Sequence, residues 1–114
     1  MKYMLQVRFN GADAVIGGLP AAEQEKVTAE FEAIRRSAGV LDGNQLQAAA
    51  TGATVRVNGG QTLITEGPAV PAETELNGYY IYDAPDLDTA TAFAARIPVA
   101  RMGGTVEVRA MVER

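Results

Sequence analysis

The two ends of the chain carry the same pattern, and it narrows the possible folds more than any other feature. Tyr3, Leu5, Val7 and Phe9 alternate with Met4, Gln6 and Arg8, while Val106, Val108, Ala110 and Val112 alternate with Glu107, Arg109, Met111 and Glu113. A period of two sends one set of side chains to a core and the other to the opposite face, so both ends read as strands buried on one side. Such a sheet needs helices over its apolar face. Two segments can supply them. Val27, Phe31, Ile34 and Ala38 recur at helical spacing. Pro20 suits the first turn of that helix, Glu23 and Glu25 sit near the positive end of its dipole, and Gly39 can end it in a left-handed cap. Ala90, Phe93, Ala94 and Ile97 share one face of a second helix, capped by Asp86 or Asp88 and stopped by Pro98.

Between the helices, "VLDGNQLQ" is a weaker strand and "YYIYD" a stronger one. "ATVRVNGGQTLIT" holds two alternating runs joined by Asn58, Gly59 and Gly60, a hairpin signal because these residues tolerate positive φ. The order βα, several strands with a hairpin, then αβ predicts one domain over residues 1–114: an α+β sandwich with two helices on one face of an antiparallel sheet, as in ferredoxin-like domains. The uncovered face is expected to carry Met4, Gln6, Arg8, Arg56, Tyr80, Tyr82 and Arg109, subject to any bulge that flips a strand. A half-polar face of this kind suits a second copy of the chain, with clefts at the seam, so a homodimer is expected.

The chain has no cysteine, which excludes disulfides, thiolate nucleophiles and cysteine-based zinc sites. It has no histidine either, which removes the commonest general base and metal ligand and leaves acid–base work to Asp, Glu, Tyr or a perturbed Lys. A net charge of −4 with scattered basic residues argues against direct nucleic-acid binding. "MKYMLQVRFN" has no long apolar run and no small-residue cleavage site, so neither a signal peptide nor a membrane span is read and a cytoplasmic protein is expected. There is no phosphate-cradling glycine loop and no HExxH motif, and no cofactor is expected.

Taken together, "MKYML", "GATVRV", "TEGPA" from Thr65 to Ala69, "NGYY", "PDLDTA" from Pro85 to Ala90, "AARIP" and "ARMGGTVEVR" resemble, in order and spacing, the YCII-related family and within it the DGPF-domain branch. The resemblance covers nearly the whole chain. It implies a dimeric α+β barrel of ferredoxin-like protomers with a small-molecule pocket and no settled reaction. Family members are mostly uncharacterised bacterial proteins. Some are encoded beside, or fused to, extracytoplasmic-function sigma factors, and distant relatives include a dehydrochlorinase of chloroaromatic breakdown. The wider family's His–Asp pair has no counterpart here, since histidine is absent. Where the branch typically reads "DGPFAETKEQLGGYY", an ungapped alignment places Glu66 at the Asp, Ala69 at the Phe, and Pro71 and Thr74 at the two glutamates. Much of the branch's polar set is therefore replaced.

Glu66 follows a strand and precedes Gly67-Pro68, so a rigid turn could hold its carboxylate at a pocket mouth, or it could be a solvated turn residue. Glu73 and Glu75 are two apart and read as a solvated connection. Arg101 precedes Gly103-Gly104 and could hold an anionic ligand bidentately, or pair with Glu107 or Glu66. Tyr80 and Tyr82 could stack on a ligand or serve as packing residues, and Arg8 and Arg56 divide between pocket and cross-strand pairing. The leading expectation is a small dimeric ligand-binding or accessory domain, with Glu66, Arg8, Arg56, Tyr80 and Arg101 as pocket residues. The first alternative is a cofactor-independent lyase or hydrolase of a small aromatic or carbonyl compound, with Glu66 as base and Arg101 holding the oxyanion. The second is a partner of a sigma factor, by analogy with family neighbours.

Overall fold

The computed structural model describes residues 1–71 and 74–114. The elements run β1 (Lys2–Arg8), α1 (Ala12–Gly17), α2 (Ala21–Arg35), β2 (Val40–Gln45), β3 (Ala53–Asn58), β4 (Gln61–Glu66), β5 (Leu76–Asp83), α3 (Leu87–Ala94) and β6 (Thr105–Ala110). Short 3₁₀ turns lie at Ala49–Thr51 and Pro98–Ala100. β2, β5, β1 and β6 form one antiparallel sheet in that order. With α2 and α3 packed on one face, this is the ferredoxin-like α+β arrangement.

The terminal pattern folds as its period requires. Tyr3, Leu5 and Val7 of β1 are buried beneath Ile34 of α2 and Ala90, Phe93 and Ala94 of α3, with Ile97 and Val99 closing the layer. Asp86 caps α3 by accepting from the Thr89 N–H at 2.8 Å. α2 ends at Arg35, so Ala38 lies beyond it. Gly39, at φ 92°, serves the start of β2 instead: a Cβ there would meet the Asp83 carbonyl oxygen at 2.9 Å.

Two expectations about the sheet are corrected. Tyr80 pairs with Leu5 and Tyr82 with Tyr3, and directly paired residues share a face, so both tyrosines lie on the covered side. Tyr82 stacks on Phe93 with ring centroids 4.0 Å apart and planes 7° from parallel. Tyr79 and Ile81 take the open side, beside Met4, Gln6, Arg8 and Arg109. Arg56 is not on this sheet at all. Among the described residues its strand pairs only with β4, in a separate two-stranded sheet.

That hairpin turns through Gly59 and Gly60, whose φ values of 57° and 81° are what a two-residue turn of this twist demands. Leu46 N–H still bonds the Asn77 carbonyl at 2.7 Å, continuing the main sheet, but the chain then enters the 3₁₀ turn and leaves. A second contact, from Gly67 N–H to the Gly52 carbonyl at 2.9 Å, closes the hairpin's base on itself. Val55, Val57 and Ile64 share one of its faces and are 61%, 70% and 70% exposed. The projection shows in the radius of gyration, 16.0 Å, against about 13 Å for a compact chain of this length.

Candidate functional site

The helical layer does not cover the whole sheet. Where α1 and α2 lean over the adjoining ends of β2 and β5, a cavity of about 670 Å³ remains, within the usual range for small-molecule sites. Its apolar bed comes from Val7 of β1, Val27 and Phe31 of α2, and Val99. α1 forms an outer wall without a buried residue of its own. It is tied to α2 by Gln24, whose Nε2 donates to the carbonyls of Gly17 at 3.0 Å and Leu19 at 2.7 Å.

Glu75, just before β5, and Tyr80 within it bring polar groups to the cavity lining. The 3₁₀ turn at Ala49–Thr51 begins after Ala48, which has no side chain able to cap it. Glu75 fills that role from across the fold: its Oε1 accepts from the Ala49 N–H at 2.6 Å, and the side chain is half-buried. Tyr80 lies across β2 because position 43 is glycine; a Cβ there would come within 2.6 Å of the ring's Cδ1. Burial pushes the Tyr80 hydroxyl above its ordinary pKa, with Arg35 drawing it down and Glu32 adding to the rise. At neutral pH it is therefore protonated and can donate. Asn77 sits at the register shift opposite Val7 and Arg8, and its Oδ1 is closed from solvent with no hydrogen-bond partner among the described residues.

Of the five pocket residues expected from the sequence, Tyr80 alone lines this cavity. Arg8 points along the open sheet face, donating to the Thr74 carbonyl at 2.8 Å and to Gln6 Oε1 at 2.7 Å. Arg56 is exposed on the hairpin opposite Leu63, and Glu66 is exposed at the end of β4 opposite Ala53. Arg101 pairs with neither Glu107 nor Glu66. It grips Glu30 of α2 bidentately at 2.6 and 2.7 Å, and its hydrogen bonds hold the Glu30 carboxyl below its usual range. The pair borders a shallow groove with Arg96, whose guanidinium lies 5.2 Å from the Phe93 ring centroid. Glu73 lies outside the described residues.

The sequence reading placed Glu75 in a solvated connection, and the structure corrects this: the residue is half-buried and lines the cavity. Its position before "LNGYY" marks only the entry to β5. What makes it part of a wall is an uncapped turn that begins 26 residues earlier, and no local pattern joins the two.

The profile of the YCII-related domain matches residues 1–113. An uncharacterised protein of Rhizobium meliloti strain 1021 is 30% identical over 102 residues, which is 85% of this chain and 82% of that one. Among solved structures, the fold is similar to 5-chloro-2-hydroxyhydroquinone dehydrochlorinase from Burkholderia phenoliruptrix AC1100, in complex with 2,5-dihydroxybenzoquinone. That match has a TM-score of 0.56 at 12% identity and covers 100% of this chain and 96% of the other.

Proposed function

The chain belongs to the YCII-related family, and from that premise we propose that it binds a small organic molecule in the cavity between α1, α2, β2 and β5. One observation carries this reading: an apolar bed of ligand size whose wall holds a fixed carboxylate, Glu75, and a protonated tyrosine, Tyr80. A substitution at the exposed rim tests it without disturbing the core. Thr28 lies on α2 at the cavity and is exposed, so Thr28→Trp should fill the space and abolish binding of aromatic fragments while leaving the fold intact. Undiminished fragment binding to that variant would contradict the reading.

A second reading is catalytic. In it, Glu75 is the proton acceptor of a cofactor-independent lyase or hydrolase acting on a small aromatic or carbonyl compound in the cavity. Glu66 and Arg56, stranded on the hairpin, enter a site in this proposal only if a second copy brings them to one.

A homodimer is part of the same proposal. The open sheet face with Met4, Tyr79 and Ile81, and the apolar side of the hairpin, are the surfaces a second copy would cover. Light scattering at micromolar concentration should give twice the chain mass, and the mass of one chain would count against it. Membership of the DGPF branch and a sigma-factor partner rest on the sequence resemblance, and a cytoplasmic location is part of the proposal. Among the described residues no helix is long and apolar enough to cross a membrane. Failure to bind a sigma factor encoded beside the gene, at tens of micromolar, would remove that partner.

A further inference from the structure

The charge on the cavity wall is one-sided. Asp13, Glu32 and Glu75 line it, and among the described residues no lysine or arginine does. Two neighbouring cations qualify this without reversing it. Arg36, exposed just past the end of α2, pairs with Glu32 at 3.7 Å, and Arg35 acts on the Tyr80 hydroxyl, where Glu32 acts in the opposite sense. Neither arginine is part of the wall. Glu75 is the best placed of the three carboxylates. It is half-buried, its Oε1 is fixed by the Ala49 N–H, and its Oε2 has no hydrogen-bond or ion-pair partner among the described residues. A carboxylate oriented by one backbone donor beside an apolar bed is prepared to accept a charged hydrogen bond from a ligand.

Resting on the cavity as the ligand site, we propose that the protein takes a small apolar amine, its ammonium group held by Glu75 and its hydrocarbon or aromatic body on Val27, Phe31 and Val99. An anion of the same size would meet three carboxylates and no cation on the wall. A cap for the 3₁₀ turn needs an acceptor but no charge, so glutamine would serve the turn equally well. The negative charge is what the amine requires.

The test compares three probes of one shape, 2-phenylethylammonium, 2-phenylethanol and 3-phenylpropanoate, titrated at neutral pH against the whole chain while the resonances of Val27, Phe31 and Tyr80 are followed. The ammonium should bind tightest, by about 10- to 100-fold over the alcohol, as a charge-assisted hydrogen bond implies. The propanoate should bind least. Glu75→Gln should erase that preference at unchanged melting temperature, and added salt should weaken the ammonium but not the alcohol. The salt titration of the unaltered protein carries the test even if the variant fails to fold. An alcohol that binds as tightly as the amine, with the same resonances moving, would overturn the ligand class and leave the cavity as the site. If none of the three probes moves those resonances, both readings fall.

Discussion

Glu75 and Ala49 are joined by a 2.6 Å hydrogen bond from the Ala49 N–H to Oε1 of the carboxylate, across 26 residues of sequence. The bond serves two ends. It caps a 3₁₀ turn that has no cap of its own, and it fixes the carboxylate of a residue that lines the cavity. Glu75→Ala removes the only acceptor described for that N–H and should destabilise the fold by about 1–2 kcal/mol, whereas Glu75→Gln should stay within about 0.5 kcal/mol. Urea denaturation of the two variants checks this, and equal losses would show that the charge, not the cap, stabilises the turn.

Tyr82 contributes a ring rather than a hydroxyl. It stacks on Phe93 at 4.0 Å, and Phe93 is 6% exposed. Phe93→Ala should cost about 3–5 kcal/mol, while Tyr82→Phe should be nearly neutral because the stack survives. A large loss in Tyr82→Phe would point to a hydroxyl contact absent from this account.

The acid limb of stability should depend on Asp86. Its carboxyl is held below the usual range by hydrogen bonds from Thr89, the backbone N–H first. A group whose pKa is lower folded than unfolded stabilises the fold above its unfolded value, near 3.9, and that stability is lost as pH falls through the lower folded value. Glu30, lowered chiefly by its hydrogen bonds from Arg101, acts in the same direction. Asp86→Asn should therefore flatten the stability profile below about pH 5 and leave the shape above it unchanged. An unaltered acid slope would contradict the capping role.

Gly43 should tolerate no side chain. An added Cβ would press on the Tyr80 ring at 2.6 Å and on the Tyr79 carbonyl oxygen at 3.3 Å. Gly43→Ala is expected to lower stability by about 1–3 kcal/mol and to displace Tyr80 from the cavity wall, read as a loss of fragment affinity larger than the loss of stability. Unchanged affinity would show that Tyr80 has no part in binding.

The fold was legible where hydrophobic period and burial agree. Tyr3, Leu5 and Val7, the α3 face of Ala90, Phe93 and Ala94, and the glycine turn of the hairpin all stand where their spacing places them. The facing of β5 was not legible, because "YYIYD" offers an aromatic residue to either side. Pairing with Leu5 and Tyr3 decides which tyrosines are covered. The hairpin's separation from the main sheet was hidden for a related reason: Val55, Val57 and Ile64 alternate as if half-buried, and alternation does not say against what. The site was the least legible part. Candidates drawn from turns and charges, such as Glu66 before Gly67-Pro68, led to the hairpin, whereas the cavity wall is built by contacts between distant segments.

The most direct test of the central claim is a crystal structure of the protein soaked with 2-phenylethylammonium or 2-phenylethanol, read for where the ring lies. The account predicts the ring between α2 and the ends of β2 and β5, on Phe31 and Val27, with its polar end within hydrogen-bond distance of Glu75 Oε2. A ring bound instead on the hairpin beside Glu66, or on the open sheet face beside Arg8, with the cavity unoccupied by ligand, would contradict it.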